Sequence, residues 1–250
     1  MTMARDDLAR FYDESYRRAS AAGDRHALWR QLSARGKADH AIQLCERAGL
    51  RPGRIAEIGC GDGALLAELG ARGLAGELHG FEVSEEAARI ARGRGTPGLA
   101  GVTVYDGTRL PVDDDSFDVA ILSHVLEHVP EPSVVLREAA RVARAVVVEV
   151  PLEANLSASR SAKREGAAEI GHLQALDRDA VRALVAAAGL TVRAELLDPL
   201  PLEVHTFFAP VGAARARATA KAAVRRGLFA LSPRLAERAF TLHYACLAVR

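Results

Sequence analysis

The sequence is poor in cysteine, in aromatic residues and in net charge, and each shortage excludes something. Its three cysteines, Cys45, Cys60 and Cys246, are far apart and form no CxxC pair. That spacing argues against a disulfide framework or a zinc ribbon and fits a reducing compartment. No uninterrupted apolar run approaches the roughly twenty residues of a membrane span. The opening stretch MTMARDDLARFYDESYRR is charged throughout and lacks the apolar centre of a signal peptide. The expectation is a soluble, cytoplasmic protein. With 33 Lys/Arg against 32 Asp/Glu, no overall field steers the chain to nucleic acid. The distribution is uneven, however: from residue 201 onward eight Lys/Arg face two Asp/Glu, and the first two hundred residues carry 25 against 30. Few aromatics interleave those C-terminal basic residues, which disfavours a single-stranded nucleic-acid surface.

What is present is enough apolar residue, 49% of 250, to bury one substantial core. Residues 4–49 read as helical, with Gly49 closing the second helix. From Arg54 short apolar runs (RIAEIGC, ELHGFEV, VTVYD, FDVAILS, AVVVEV) alternate with helical stretches at 63–72, 84–93 and 132–143. Pro132 or Ser133 marks the start of the last of these. Strand, helix, strand at this spacing specifies an α/β fold, a doubly wound, mostly parallel sheet with helices on both faces. A polar segment at 152–176 follows, then a helix at 177–189, the strand TVRAELLD, an Arg-rich helical stretch near 212–240 and a closing strand, HYACLAVR. The last strand is expected to fold back antiparallel at the sheet edge. Segments 1–50, 152–176 and 200–240 are the candidates for a lid.

The stretch IAEIGCGDGALLAEL, residues 55–69, reads as a buried strand, a glycine-rich turn and a helix. Gly59, Gly61 and Ala64, with Glu82 ending the next strand, formally meet the dinucleotide fingerprint. Glu57 and Asp62 argue against a diphosphate ligand. Two like charges about 4 Å apart cost roughly 1 kcal/mol in water and several times that in a partly buried crevice. Carboxylates around the turn suit an ammonium or sulfonium ligand instead.

At these residues the chain resembles the class I S-adenosylmethionine-dependent methyltransferases of small-molecule type, from about Arg51 to Leu196. EIGCGDG is similar to that family's first motif, GFEVS to its second-strand motif, and YDGTRLPVDDDSFDVAILSHVLEHVPEP to its later block. The resemblance implies a seven-stranded sheet under an N-terminal helical cap (residues 1–50). The methyltransferase domain would span 51–250, with insertions near 152–176 and 200–240. It implies that Glu57, Gly59, Cys60 and Gly61 hold the methionine portion of S-adenosylmethionine, and that Glu82 bonds the ribose. Val83 would lie against adenine, Asp106 would face its amino group with Gly107 beside it, and Ser123 and His124 would border the carboxylate and the methyl group. Independently, ligands of doubly wound sheets bind beyond the carboxyl ends of the strands, where Glu57, Glu82, Asp106 and Ser123 fall.

A hydroxyl acceptor benefits from a base whose pKa lies near the working pH. His124, His128 and His172 are candidates, and His128 and His172 are taken as catalytic. HVLEH and a distant His also offer His124, Glu127, His128 and His172 as possible metal ligands, but no metal is assigned. After the fourth strand SHVL replaces the Asn/Asp-Pro-Pro-aromatic tetrad of amino-directed nucleobase methyltransferases. The expectation is therefore methyl transfer to a small molecule, at oxygen rather than nitrogen or carbon, with no nucleic-acid partner. An oligomer is left open. An NAD(P)-dependent oxidoreductase and a non-catalytic S-adenosylmethionine-binding module are the competing readings. Arg215, Arg217, Lys221, Arg225 and Arg226 are read first as a solvated helix face, and DPLPLEVHTFFAP as a wall of the acceptor pocket or a packed connection.

Overall fold

The computed structural model describes residues 5–21, 25–159, 165–166 and 169–250. Two helices, α1 (Arg5–Ala21) and α2 (Arg25–Arg47), precede β1 (Arg54–Ile58), α3 (Ala64–Ala71), β2 (Glu77–Glu82), α4 (Glu85–Arg92), β3 (Leu99–Val104) and β4 (Phe117–Ser123). After α5 (Pro132–Val142) and β5 (Ala143–Pro151) come α6 (Arg178–Ala187) and β6 (Thr191–Asp198). The chain then forms α7 (Leu202–Thr206), α8 (Ala213–Leu231), α9 (Pro233–Ala239) and β7 (His243–Val249).

The seven strands form one sheet in the order β3-β2-β1-β4-β5-β7-β6. Strands β3 to β5 in that order pair in parallel, and β7 is antiparallel to both β5 and β6. Burial follows the residue pattern. In β4 every residue but Asp118 is buried and in β5 every residue but Arg144, as central strands covered on both faces require. Strands β3 and β6 bury little and occupy the two edges.

The closing strand departs from expectation: it lies inside the sheet, between β5 and β6, and not at the edge. Tyr244 to Ala248 are buried at five successive positions, and an edge would leave that apolar run half in water. One face of the sheet packs on α5 and α6 through Val135, Leu136, Ala139, Val181 and Val185. The other packs on α2, α3 and α4, with Leu44, Leu66, Leu69 and Ala88 in the layer. Helix α2 therefore belongs to the body of the fold, and α1 is the N-terminal helix that overlies the strand ends.

Local signals account for the helix boundaries. Ser84 accepts from the Ala87 amide at the start of α4, and Asp177 from the Ala180 amide at the start of α6. Pro132 takes the first turn of α5. Gly49 (φ 68°) follows the end of α2 in the left-handed conformation of a helix stop. On α8, Arg215, Arg217, Lys221 and Arg226 are exposed as a solvated face, whereas Arg225 turns inward against His205. No helix among the described residues is long and apolar enough to cross a membrane.

Candidate active site

The loop after β1 is clamped to β2: the Gly59 and Cys60 amides both donate to the Phe81 carbonyl, at 2.7 and 3.1 Å. Gly59 and Gly61 adopt φ of 75° and 53°. A Cβ on Gly59 would meet Val125 Cγ2 at 2.7 Å, and one on Gly61 would meet the Tyr16 hydroxyl at 2.5 Å. The turn is thus shaped by a left-handed backbone and by the α1 side chain above it.

Glu57 is buried, and its Oε2 has no hydrogen-bond partner. Burial pushes its pKa up to about 8, the Lys37 charge opposing and Asp62 and Glu82 adding to the rise. Glu82 is held differently. Its Oε2 accepts from the Gly61 amide at 2.7 Å, and its Oε1 accepts from the Val83 and Ser84 amides at 2.8 and 3.0 Å. Burial raises its pKa in spite of these three donors.

Asp62 does not act as the sequence suggested. Its Oδ2 lies 2.7 Å from Arg30 Nε and 2.8 Å from an Arg94 guanidinium nitrogen, so its charge is neutralised within the fold. The acidic groups left to meet a cationic ligand in the crevice are Glu57 and Glu82.

Of the expected cofactor positions, Gly59, Gly61, Glu82, Val83, Asp106 and Gly107 line a first cleft of about 640 Å³. Glu57, Cys60 and Ser123 line a second cavity of about 650 Å³. Gly59, Gly61, His124 and His128 border both. Asp106 also serves its own turn, Oδ1 accepting from the Thr108 and Arg109 amides at 2.8 and 3.0 Å. Cys60 is buried, its thiol pKa raised by burial. Tyr12, Tyr16, Arg30 and Lys37 of α1 and α2 also line these spaces. Sequence reading singled out none of them, and their signal was only the i, i+4 tyrosine pair on an amphipathic helix.

His124 stands just past β4 with φ 57°, a left-handed conformation that is strained for a residue with a Cβ. Its ring lies 3.3 Å from His243 and 3.4 Å from Glu127, and burial holds its pKa well below the usual value. His128 donates Nδ1–H to the Gly171 carbonyl at 3.2 Å, which leaves Nε2 as an acceptor. Burial and the neighbouring His172 push its pKa down to about 4. His172 Nδ1 pairs with Glu153 Oε2 at 2.7 Å, and that bond raises its pKa against the effect of burial. The His128 and His172 rings stand 4.6 Å apart, edge to face. His172 also opens onto a third cavity of about 600 Å³, walled by Trp29, Ile170, Val204 and Phe208.

Residues 28–195 match the family of methyltransferase domains. The chain belongs to that family. The methyltransferase domain is 35% identical over 105 residues to a ubiquinone biosynthesis O-methyltransferase of Hahella chejuensis, covering 40% of this chain and 42% of that protein. It is 31% identical over 155 residues to a 2-phytyl-1,4-naphtoquinone methyltransferase of Synechococcus elongatus, covering 58% and 60%. The chain thus spans about half the length of the curated relatives it matches. Its fold is that of the geranyl diphosphate C-methyltransferase of Streptomyces coelicolor A3(2), solved with Mg2+, geranyl diphosphate and S-adenosyl-L-homocysteine. That likeness has a TM-score of 0.61 at 14% identity, over 86% of this chain and 80% of that one. The family places the methyltransferase domain in class I, with S-adenosylmethionine as its cofactor, and the oxidoreductase reading of the glycine loop falls away.

Proposed function

We propose that the protein transfers the methyl group of S-adenosylmethionine to a hydroxyl of a small-molecule acceptor. The observation that carries the donor half of this reading is the solvent-inaccessible, unpartnered Oε2 of Glu57 beside the Gly59–Gly61 turn. A buried carboxylate oxygen without a donor is costly, and an ammonium group on a ligand removes that cost. In this assignment Glu57, Gly59, Cys60 and Gly61 hold the methionine end. Glu82 accepts from the ribose, and Val83, Asp106 and Gly107 border the adenine. Ser123 and His124 stand beside the methyl group. When bound, the cofactor supplies an electrophilic methyl carbon on a sulfonium; the chain aligns the acceptor behind it and excludes water. Helix α1 closes the cleft as a lid.

His128 or His172, which border the cavity shared with His124, activates the acceptor hydroxyl for loss of its proton. The third cavity next to His172 sets apolar walls beside Glu153, His205 and Arg225, which suits an aromatic acceptor carrying polar substituents. Relatives named for quinone methylation support the same class.

Thermal-shift and calorimetric titrations with S-adenosylhomocysteine and with NAD(P) test the donor half. Stabilisation by S-adenosylhomocysteine alone is expected. The transfer half is tested by S-adenosylhomocysteine release with simple phenols and catechols against amine acceptors. Preference for the amines would overturn the oxygen assignment.

A further inference from the structure

Two groups of side chains among the described residues bring three ligating atoms within 4.8 Å of one another: His124, Glu149 and His243, and Glu127, His128 and His172. They differ in one decisive respect. Glu149 is fully engaged, with His40 and His243 each 3.2 Å from Oε1 and Ser123 Oγ donating to Oε2 at 3.4 Å. Glu127 is 1% exposed, and neither of its carboxylate oxygens has a hydrogen-bond partner. The nearest ring nitrogen, His124 Nδ1 at 3.4 Å, forms no hydrogen bond with it.

The two histidines beside Glu127 have the outer arrangement that orients metal-binding imidazoles. His128 gives Nδ1–H to the Gly171 carbonyl, and His172 directs Nδ1 to the Glu153 carboxylate. Each ring is fixed through Nδ1, and Nε2 is the nitrogen left to bind. Both histidines line the cavity that also reaches Ser123 and His124, so their side of the cluster faces space that can hold further ligands.

From this geometry we infer that Glu127, His128 and His172 bind a divalent first-row transition-metal ion whose open positions take the acceptor hydroxyl. Two imidazoles and one carboxylate favour Mn2+, Fe2+, Co2+ or Zn2+ over the oxygen-seeking Mg2+ and Ca2+. The inference deepens the methyl-transfer reading and rests on it: the histidines activate the hydroxyl through the ion and not as free bases. On the bound ion the O–H bond breaks, the electron pair stays on oxygen and the proton leaves to water, with no change of oxidation state. Glu153 is a positioning residue for His172. The sum is acceptor hydroxyl plus methyl sulfonium giving methyl ether, thioether and one proton.

The test uses chelator-stripped full-length protein titrated with Co2+, with the visible ligand-field spectrum and calorimetric affinity recorded. Glu127→Gln, His172→Ala and Glu153→Gln are run beside wild type, and each sample is also tested for thermal stabilisation by S-adenosylhomocysteine. One Co2+ per chain is expected, with uptake lost in Glu127→Gln and His172→Ala and weakened about tenfold in Glu153→Gln. All variants are expected to keep their response to S-adenosylhomocysteine, which shows that the fold and donor site are intact. Absence of Co2+ uptake by wild type that still responds to S-adenosylhomocysteine would overturn the inference and leave the methyl-transfer reading standing. Equal uptake by wild type, Glu127→Gln and His172→Ala would overturn it too.

Discussion

Glu57 is a residue whose cost and use separate cleanly. Its folded pKa of about 8 lies above that of an exposed carboxyl, with burial as the main cause. The folded state therefore holds a proton that the unfolded chain releases, and stability falls as pH rises from about 4.5 to about 8. Glu57→Gln removes that loss. We expect the ligand-free variant to be more stable at pH 8 by on the order of 2–4 kcal/mol. We also expect it to bind S-adenosylmethionine about tenfold more weakly, or worse, because the amide cannot neutralise an ammonium group. Urea unfolding at pH 6 and 8 with calorimetry on the same samples checks both halves, and unchanged affinity would remove Glu57 from the site. The position of this residue was legible in EIGCGDG, since a strand, a glycine turn and an acid two residues before it can be read locally. The role of Asp62 was not. Its partners Arg30 and Arg94 are distant in sequence on either side, and no local pattern announces that a loop carboxylate will be neutralised from two other helical regions.

At the scale of elements, α1 walls the candidate site with Tyr12 and Tyr16. It is fastened to the body by Asp13, whose Oδ1 accepts from Ser84 Oγ at 2.6 Å and from the Glu86 amide at 3.1 Å. Tyr12 meets His128 edge to face at 5.9 Å, and Tyr16 is wedged over Gly61. Asp13→Ala takes away the fastening and leaves Ser84 its capping bond to Ala87. Loss of those two bonds costs about 1–3 kcal/mol, felt locally. Faster amide exchange across residues 5–21 and weaker S-adenosylhomocysteine binding are expected, with the global melting temperature almost unchanged. Exchange rates equal to wild type would mean that α1 is held by its aromatic contacts. The same scale shows where sequence reading succeeded and stopped. Periodicity and caps located α3 to α6 and the parallel strands, because those signals lie within each element. The insertion of β7 between β5 and β6 was missed, since strand order depends on pairing partners far away in sequence. The apolar run Tyr244–Ala248 was the one hint against an edge.

The whole molecule is tied together beneath the site by a buried charge cluster. His40 of α2 sits 3.2 Å from Glu149 of β5 and 3.2 Å from Asp198 at the end of β6, while His243 of β7 reaches the same Glu149 oxygen. Four elements separated along the chain thus share one ionic knot, directly behind Ser123 and His124. Burial alone would lower the His40 pKa, but the bonds to Asp198 and Glu149 raise it to about 9. A raised histidine pKa stabilises the fold fully below about pH 6.5, and that contribution is lost as pH climbs through about 9. His40→Asn takes the shared cation from buried Glu149 and half-buried Asp198, so a loss on the order of 3 kcal/mol is expected at pH 6.5. At pH 9 and above the wild-type ring is itself losing its proton, and the gap between variant and wild type has to narrow. Denaturant midpoints for the pair at both pH values read this directly, and the slope from Glu57 cancels because both proteins carry it. A gap of equal size at the two pH values would mean that His40 acts by packing and not by charge. In that event the strand ends that carry the site would be held in register by the sheet ladder alone.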